Sequence, residues 1–347
     1  MRQLAAGLLL ILAAGTGWAD TLRIATFNTE LSRAGPGLLL RDITGGSDPQ
    51  VAAVVEVITT ARPDILALQG IDWDYEGRAL AAFAALMADR GLDYSYRVAL
   101  QPNSGLPPPA PLDLDGNGKT GEPRDNQGYG RFRGQSGIAL LSRLPVDHEG
   151  IRDISSLLWK DMPGALLPHY PDGSPFPSAE VQAVQRLSAT GHWLVPLVLP
   201  DGSRLNVMTF HATPPLFDGP EDRNGKRNHD EIRLWQLLLD ETFGPAPEPP
   251  IVIAGDANLD PEHGEGRKDA IRSLLADSRL QDPLPQSPQG GTATVEWESA
   301  GRRRVDYVLP SAGLTVTASG VVWPDGQDTP AATASRHRLV WVDLLMD

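Results

Sequence analysis

Several apolar stretches of this chain end in a polar residue or lead straight into one, and this pattern constrains the fold more than any other feature. TLRIATF ends in Asn28, and LNVMTF ends in His211. IVIAG runs into Asp256 with Asn258 close behind, RRV leads into Asp306-Tyr307, and ATASR precedes His337 just before LVWVDLL. Apolar or alternating runs of this length read as strands. A carboxylate at the tip of a buried strand is costly unless a charge or a hydrogen bond meets it there.

Each tip residue alone has an ordinary reading as a turn former or a hydrogen-bonded cap. Together, two carboxylates, two amides and two imidazoles form a set suited to metal-assisted phosphoryl transfer. Asp and Asn oxygens bind a hard divalent cation or orient water, and a His oriented by an Asp can move a proton.

Helical patterns separate the strands. Ser47 or Asp48 can cap a helix with Pro49 in its first turn. EGRALAAFAALMADRG closes at Gly91, and HDEIRLWQLLLDETFG and EGRKDAIRSLLAD follow. Further strands are predicted at 65–69, 94–100 and 137–142, with a hairpin over 192–211 that turns at Asp201-Gly202. RRVDYVLP, LTVTASGVVW and HRLVWVDLL read as late strands. The alternation fits one α/β domain over 20–347, built on a mixed sheet or a pair of sheets flanked by helices. Pro- and Gly-rich stretches at about 101–136 and 155–190 read as loop insertions of the kind that often form or cover a site.

The formal charge of −14 works against broad binding to nucleic acid or an anionic membrane, and the basic clusters Lys226-Arg227 and Arg302-Arg303-Arg304 are short. No cysteine is present, which removes disulfides and thiol chemistry. Residues 1–19 read as a secretory signal, with Arg2, the apolar run Leu4–Ala14 and a cleavage site after Ala19. The expectation is an exported, periplasmic or extracellular protein, monomeric, with no transmembrane segment after cleavage.

The ordered set FN, ALQ, ALLSR, FH, GDAN, VDYV and SRH, from about Leu22 to Leu345, resembles the endonuclease/exonuclease/phosphatase superfamily. Its members include pancreatic-type deoxyribonucleases, abasic-site endonucleases, sphingomyelinases and inositol-phosphate phosphatases. The resemblance implies a four-layer sandwich: two mixed β-sheets packed face to face, helices outside, and the motif residues on loops at one end. It implies that Asp256 positions or activates the attacking water, Asn258 holds the phosphate, and Asn28 supports both. His211 would donate to a phosphate oxygen, and Asp306 would orient His337. A divalent metal, Mg or Mn, is implied at the site.

Two positions depart from that pattern. The family's metal-binding Glu after the second strand is replaced by Gly70, and the Asp before the terminal His by Arg336. Arg336 can instead hold a substrate phosphate with a bidentate fork, and Tyr307 is a second candidate substrate contact. Glu30 shares a strand face with Asn28 if the strand continues, which makes it a candidate metal ligand; Asp72 and Asp74 are looser ones. Within DLDGNGKTGEPRD, Asp113, Asp115, Asn117 and Gly118 match calcium-loop positions, while position twelve is Arg124 and Asp125 falls one residue late. Arg223, Lys226, Arg227 and His229 are candidates to face an anionic substrate, against the ordinary reading that charge runs are solvated, and Asn228 or Asp230 would lie near the following helix cap. His148 and His192 read as capping or packing residues.

The leading expectation is an exported metal-dependent phosphoester hydrolase, a phosphodiesterase or phosphatase for a small or lipid-like substrate. A secreted nuclease is the alternative from the same chemistry. A non-catalytic binding protein with a decayed metal site is the alternative from another class.

Overall fold

The computed structural model describes residues 21–242 and 244–346; the predicted signal at 1–19 lies outside them. In chain order the regular elements begin with β1 (Thr21–Asn28), α1 (Leu38–Gly45), α2 (Pro49–Ala61), β2 (Ile65–Ile71), α3 (Arg78–Ala88), β3 (Tyr96–Val98) and β4 (Gly137–Ser142). They continue with β5 (Arg152–Asp153), α4 (Ala179–Val184), β6 (His192–Val198), β7 (Arg204–His211), α5 (Arg223–Leu239) and β8 (Ile251–Asp256). The last are α6 (Lys268–Leu275), β9 (Val295–Trp297), β10 (Gly301–Arg303), β11 (Asp306–Pro310), β12 (Thr315–Val321), α7 (Pro330–Ala334) and β13 (Val340–Leu345).

Two mixed sheets carry the fold. One has the order β12-β13-β1-β2-β4-β3 and the other β11-β8-β7-β6-β5, while β9 and β10 form a separate hairpin. β1 and β2 are parallel, as are β7 and β8, and the remaining pairs are antiparallel. Period-two alternation sends every second residue of each strand into the space between the sheets. Ile24, Ala67, Leu140, Val195, Val207, Ala254, Val308 and Val342 meet there in one apolar layer. The opposite faces pack against helices: Phe27 and Leu68 against α2 and α3, and Phe210 and Ile253 against α5 and α6. The result is the expected four-layer sandwich. No helix among the described residues is long and apolar enough to cross a membrane.

Asp48 is the cap of α2, its carboxylate accepting from Val51 N at 2.8 Å, with Pro49 at the first helical position. Helix α1 is not predicted from sequence: it follows Gly37 at φ 75° without a side-chain cap, and it is held by the burial of Leu39 and Ile43. α5 begins at Arg223, earlier than its apolar periodicity indicates, because its polar first turns are buried beneath the insertions. There Arg227 donates to Leu187 O, Arg186 O and Gln127 O at 2.5–2.8 Å, and Asn228 Nδ2 donates to Thr213 O and Ala257 O. Arg223 donates to Leu114 O. The stretch predicted as one strand, RRVDYVLP, splits at Arg304, whose N–H donates to Asp260 and whose guanidinium pairs with Asp282.

Candidate active site

Asn28, His211, Asp256 and Asp306 all close inward-facing rows of side chains at one end of the sandwich. In β1 the row is Leu22, Ile24, Thr26, Asn28; in β8 it is Val252, Ala254, Asp256. Register ties them together: Asp256 lies opposite Asp306 on one side and His211 on the other. Asn28 arrives from the facing sheet, and its Nδ2 donates to Asp256 Oδ2 at 2.9 Å. The buried strand-tip carboxylate therefore meets an amide and two imidazoles.

Asp256 has no solvent exposure. Its Oδ1 accepts from Asn258 N at 2.8 Å, a turn that places Asn258 in the left-handed region at φ 51°. His211 Nε2 stands 3.4 Å from Asp256 Oδ2. His337 Nδ1 lies 3.0 and 3.2 Å from the two Asp306 oxygens and 3.7 Å from Asp256 Oδ2. Burial and the neighbouring Asp306 push the Asp256 carboxyl up. Burial of His337 disfavours its charge, but Asp306 and then Asp256 outweigh that and hold the imidazole up at about 9. Burial pushes the His211 imidazole down, against the pull of the neighbouring Asp256. The two imidazoles flanking the central carboxylate are thus shifted in opposite directions, His337 up and His211 down.

In front of these groups lies a cavity of about 1010 Å³, from which Asp256 and Asp306 are themselves screened. Asn28, His211, Asn258 and His337 line its inner wall. The rim comes from three segments: the loop after β7 with Leu216 and Phe217, the loop after β8 with Asp260 and Glu265, and the β9–β10 hairpin with Trp297. Trp297 meets the His337 ring edge-on, with centroids 5.8 Å apart. Sequence reading missed this hairpin and the apolar rim; the available signal was the V-E-W alternation before the turn ESAG. Of the two insertions, Ser136 alone is at the cavity wall. They are knit instead to each other and to α5, for example through Arg186 on Asn103 Oδ1 at 2.8 Å and the buried Arg227. The expectation that they cover the site is corrected.

Several other candidates have different roles. β11 alternation turns Tyr307 away from the cavity into the layer under α6; its hydroxyl donates to Leu259 O or Arg304 O, each at 2.8 Å, so it is not a substrate contact. Asp72 accepts from Arg33 N at 2.8 Å and Ser136 N at 2.9 Å, and Asp74 caps α3 through Arg78 N and Ala79 N. Neither reaches the cavity wall. Arg223 and Arg227 serve backbone carbonyls, and His229 pairs with Asp230 at 2.8 Å and Asp269 at 3.2 Å. This corrects the anion-binding reading of Arg223, Arg227 and His229. His192 is fully packed, its ring set between Ser188 Oγ and Glu231 O, and burial pushes it down to about 4.

In the 113–125 loop, Asp113, Asp115 and Asp125 each bring one oxygen to within 4.8 Å of the others. Asn117 joins them by donating from Nδ2 to Asp115 at 3.2 Å and to Glu122 at 2.8 Å. Asp125, not Arg124, thus supplies the closing carboxylate.

The donor set for a catalytic cation does not match the one the family uses. Gly70 adopts φ +71°, and a Cβ there would stand 2.3 Å from Asn28 Oδ1 and 2.9 Å from Glu30 N. A Glu at this position would collide with the amide that holds Asp256. β1 ends at Asn28, and Glu30 sits at φ 50°, outside the strand, so the shared-face argument for Glu30 fails. Its carboxylate accepts from Arg336 N and Arg336 Nε at 2.8 Å each, from Arg336 NH2, and from Ser335 Oγ at 3.1 Å. Although burial pushes it up, these Arg336 hydrogen bonds hold the Glu30 carboxyl below its ordinary value. Asp256, Asp306 and His337 offer one ligand atom each within 4.8 Å, but the imidazole atom nearest both carboxylates is Nδ1, which donates to Asp306. A cation there would displace the proton that already balances the pair.

A family model described as Endonuclease/Exonuclease/phosphatase family matches residues 25–337. No curated protein matches the chain. Among solved structures, an endonuclease/exonuclease/phosphatase from Beutenbergia cavernae is 20% identical with a TM-score of 0.57, covering 94% of this chain and 72% of its own. Sphingomyelinase C from Streptomyces griseocarneus is 20% identical with a TM-score of 0.51, covering 93% and 99%. The human Nocturnin catalytic domain is 16% identical with a TM-score of 0.52, covering 94% and 95%. At these identities the structures share the fold, whereas the family match runs over nearly the whole described chain and takes in every strand-tip residue above. The chain therefore belongs to the endonuclease/exonuclease/phosphatase family, whose members are phosphoester hydrolases.

Proposed function

We propose that the chain is an exported phosphoester hydrolase for a small or lipid-like ester, with water attacking phosphorus at the cavity floor. The observation that carries this reading is that His211 and His337 line one cavity wall while Asp256 and Asp306, fully buried, back them from within 3.0–3.7 Å. A new P–O bond forms from water, whose proton passes to Asp256, and the ester P–O bond breaks. The leaving oxygen takes its proton from His337, which is held charged and whose Nε2 has no partner among the described residues. His211 donates to a non-bridging oxygen, and Asn258 orders the same edge.

The rim supports a compact ester over duplex DNA. Glu30, Asp260, Glu265, Glu296 and Glu298 outnumber Arg303 and Arg336 in the cavity lining, and the chain carries −14 overall, so an extended polyanion is disfavoured relative to a single phosphoester. Leu216 and Phe217 are 39% and 77% exposed, which gives an apolar or acyl group a surface to rest on. The test is a panel of small phosphodiesters, phosphomonoesters, choline phospholipids and duplex DNA, assayed with wild type and Asp256→Asn. Turnover of a small or lipid ester that disappears in the variant is the expected result. Hydrolysis of DNA alone would replace this reading with a secreted nuclease, and no turnover of any ester would leave a binding protein.

A further inference from the structure

We propose that Arg336 stands in for the catalytic divalent cation of this family: its guanidinium, anchored by Glu30, supplies the positive charge that meets the substrate phosphate, and the site binds phosphate without metal. The inference rests on the phosphoester reading and adds how this particular site neutralises its substrate.

Three observations converge. The first is steric: the backbone at Gly70 is left-handed, and its missing Cβ is the space taken by Asn28 Oδ1 at 2.3 Å. The family's Glu cannot return without breaking the Asn28–Asp256 hydrogen bond, so its loss is built into the strand end. The second is a change of sign. Where the family places a carboxylate before the terminal His, this chain places a guanidinium, and Arg336 reaches the same cavity as His337. The third is the state of Glu30. Its two oxygens take the Arg336 N–H, Nε and NH2 as well as Ser335 Oγ. A metal at Glu30 would have to strip these contacts and then sit beside an uncompensated guanidinium, a like-charge encounter at short range.

The same geometry suits Arg336 to phosphate. Glu30 fixes one edge of the planar fork, while NH1 has no partner among the described residues and 63% of the side chain is exposed toward the cavity and solvent. A guanidinium held on one edge loses little freedom when the other edge takes a phosphate oxygen. Glu30 is then a positioning residue, and Arg336 the group that touches substrate.

The test uses inorganic phosphate as the probe, titrated by calorimetry into the full mature chain with a strong chelator present and again with Mg²⁺ or Mn²⁺. Expected is equal affinity in both conditions, about 10- to 100-fold weaker binding in Arg336→Met, and partial recovery in Arg336→Lys. Glu30→Gln should weaken phosphate binding less, with KM rising more than kcat falls on a small diester. Because Arg336 is exposed, circular dichroism should find the variants folded. Phosphate binding that requires Mg²⁺ or Mn²⁺ and ignores Arg336→Met would overturn the proposal while leaving the phosphoester reading intact. No phosphate binding and no ester turnover under any condition would overturn both.

Discussion

Replacing Asp306 by Asn removes the nearest counter-charge of His337 while keeping the shape of the site. The ring Nδ1 is 3.0 Å from one Asp306 oxygen and 3.2 Å from the other, whereas Asp256 is farther, at 3.7 Å. An imidazole held at about 9 against an ordinary 6.5 corresponds to roughly 3 kcal/mol of preference for the charged form. Burial pulls the other way and is then opposed only by the more distant Asp256 and Glu30, so without the Asp306 charge His337 should fall back to about its ordinary value. At pH 7.5 the protonated share then drops from nearly all to about a tenth, and a looser ring orientation adds roughly another factor of ten. The expected loss in kcat/KM on a small phosphodiester is about 10²-fold at pH 7.5, shrinking to about tenfold near pH 5.5. The alkaline limb of the pH–rate profile should move from about 9 to below 7, and a proton-detected titration of His337 should move with it. The stability sign follows from the raised value: His337 stabilises the fold fully below about 6.5 and loses that contribution as pH rises through about 9. The variant should lack this alkaline loss. An unchanged rate profile, or a His337 titration unmoved by the substitution, would refute the dyad.

Gly70→Ala should be costly well beyond a surface change, because the added Cβ meets Asn28 Oδ1 at 2.3 Å in a left-handed backbone; a loss of about 2 kcal/mol or more in chemical denaturation, with a matching fall in activity, is expected. Tyr307→Phe removes a buried hydroxyl that serves Leu259 O and Arg304 O, so it should lower stability by about 1–2 kcal/mol and leave kcat within about twofold; a large kcat loss in a stable variant would return Tyr307 to the substrate. Arg227→Met leaves buried carbonyls of both insertions unpaired, and limited proteolysis should cut within 101–136 or 155–190 faster than in wild type. If the 113–125 loop takes calcium through Asp113, Asp115 and Asp125, calcium should raise the melting temperature and Asp115→Ala should abolish the rise. A melting curve indifferent to calcium would leave the loop an acidic turn.

The strand-tip pattern made an α/β domain with a mixed sheet or a pair of sheets legible, and the family resemblance implied the sandwich; in the structure period-two alternation sets both the core rows and the residues that end them. The same rule was overextended at Glu30, where the strand had already stopped at Asn28. It was not applied at Tyr307, whose neighbour Asp306 claims the inward direction. Arg227 was misread because its burial depends on the insertions folding over α5, a contact between residues 40 to 100 positions apart that no local pattern encodes. The Trp297 hairpin was hidden for a related reason: β9 and β10 pair with each other and lie outside both main sheets, so their alternation covers three residues each. The departures at Gly70 and Arg336 were plain in the sequence. That they belong together emerged only when Glu30 was found bonded to Arg336 in three dimensions.

A single-turnover measurement decides whether the cavity hydrolyses phosphoesters with Asp256 as its base. Wild type and Asp256→Asn, both verified as folded, would be mixed in excess with an activated phosphodiester in water labelled with ¹⁸O. Turnover by wild type with the label in the phosphate product, and a rate at least about 10²-fold lower in the variant, is the expected result. Equal rates for the two proteins, or label appearing only in the released alcohol, would contradict it.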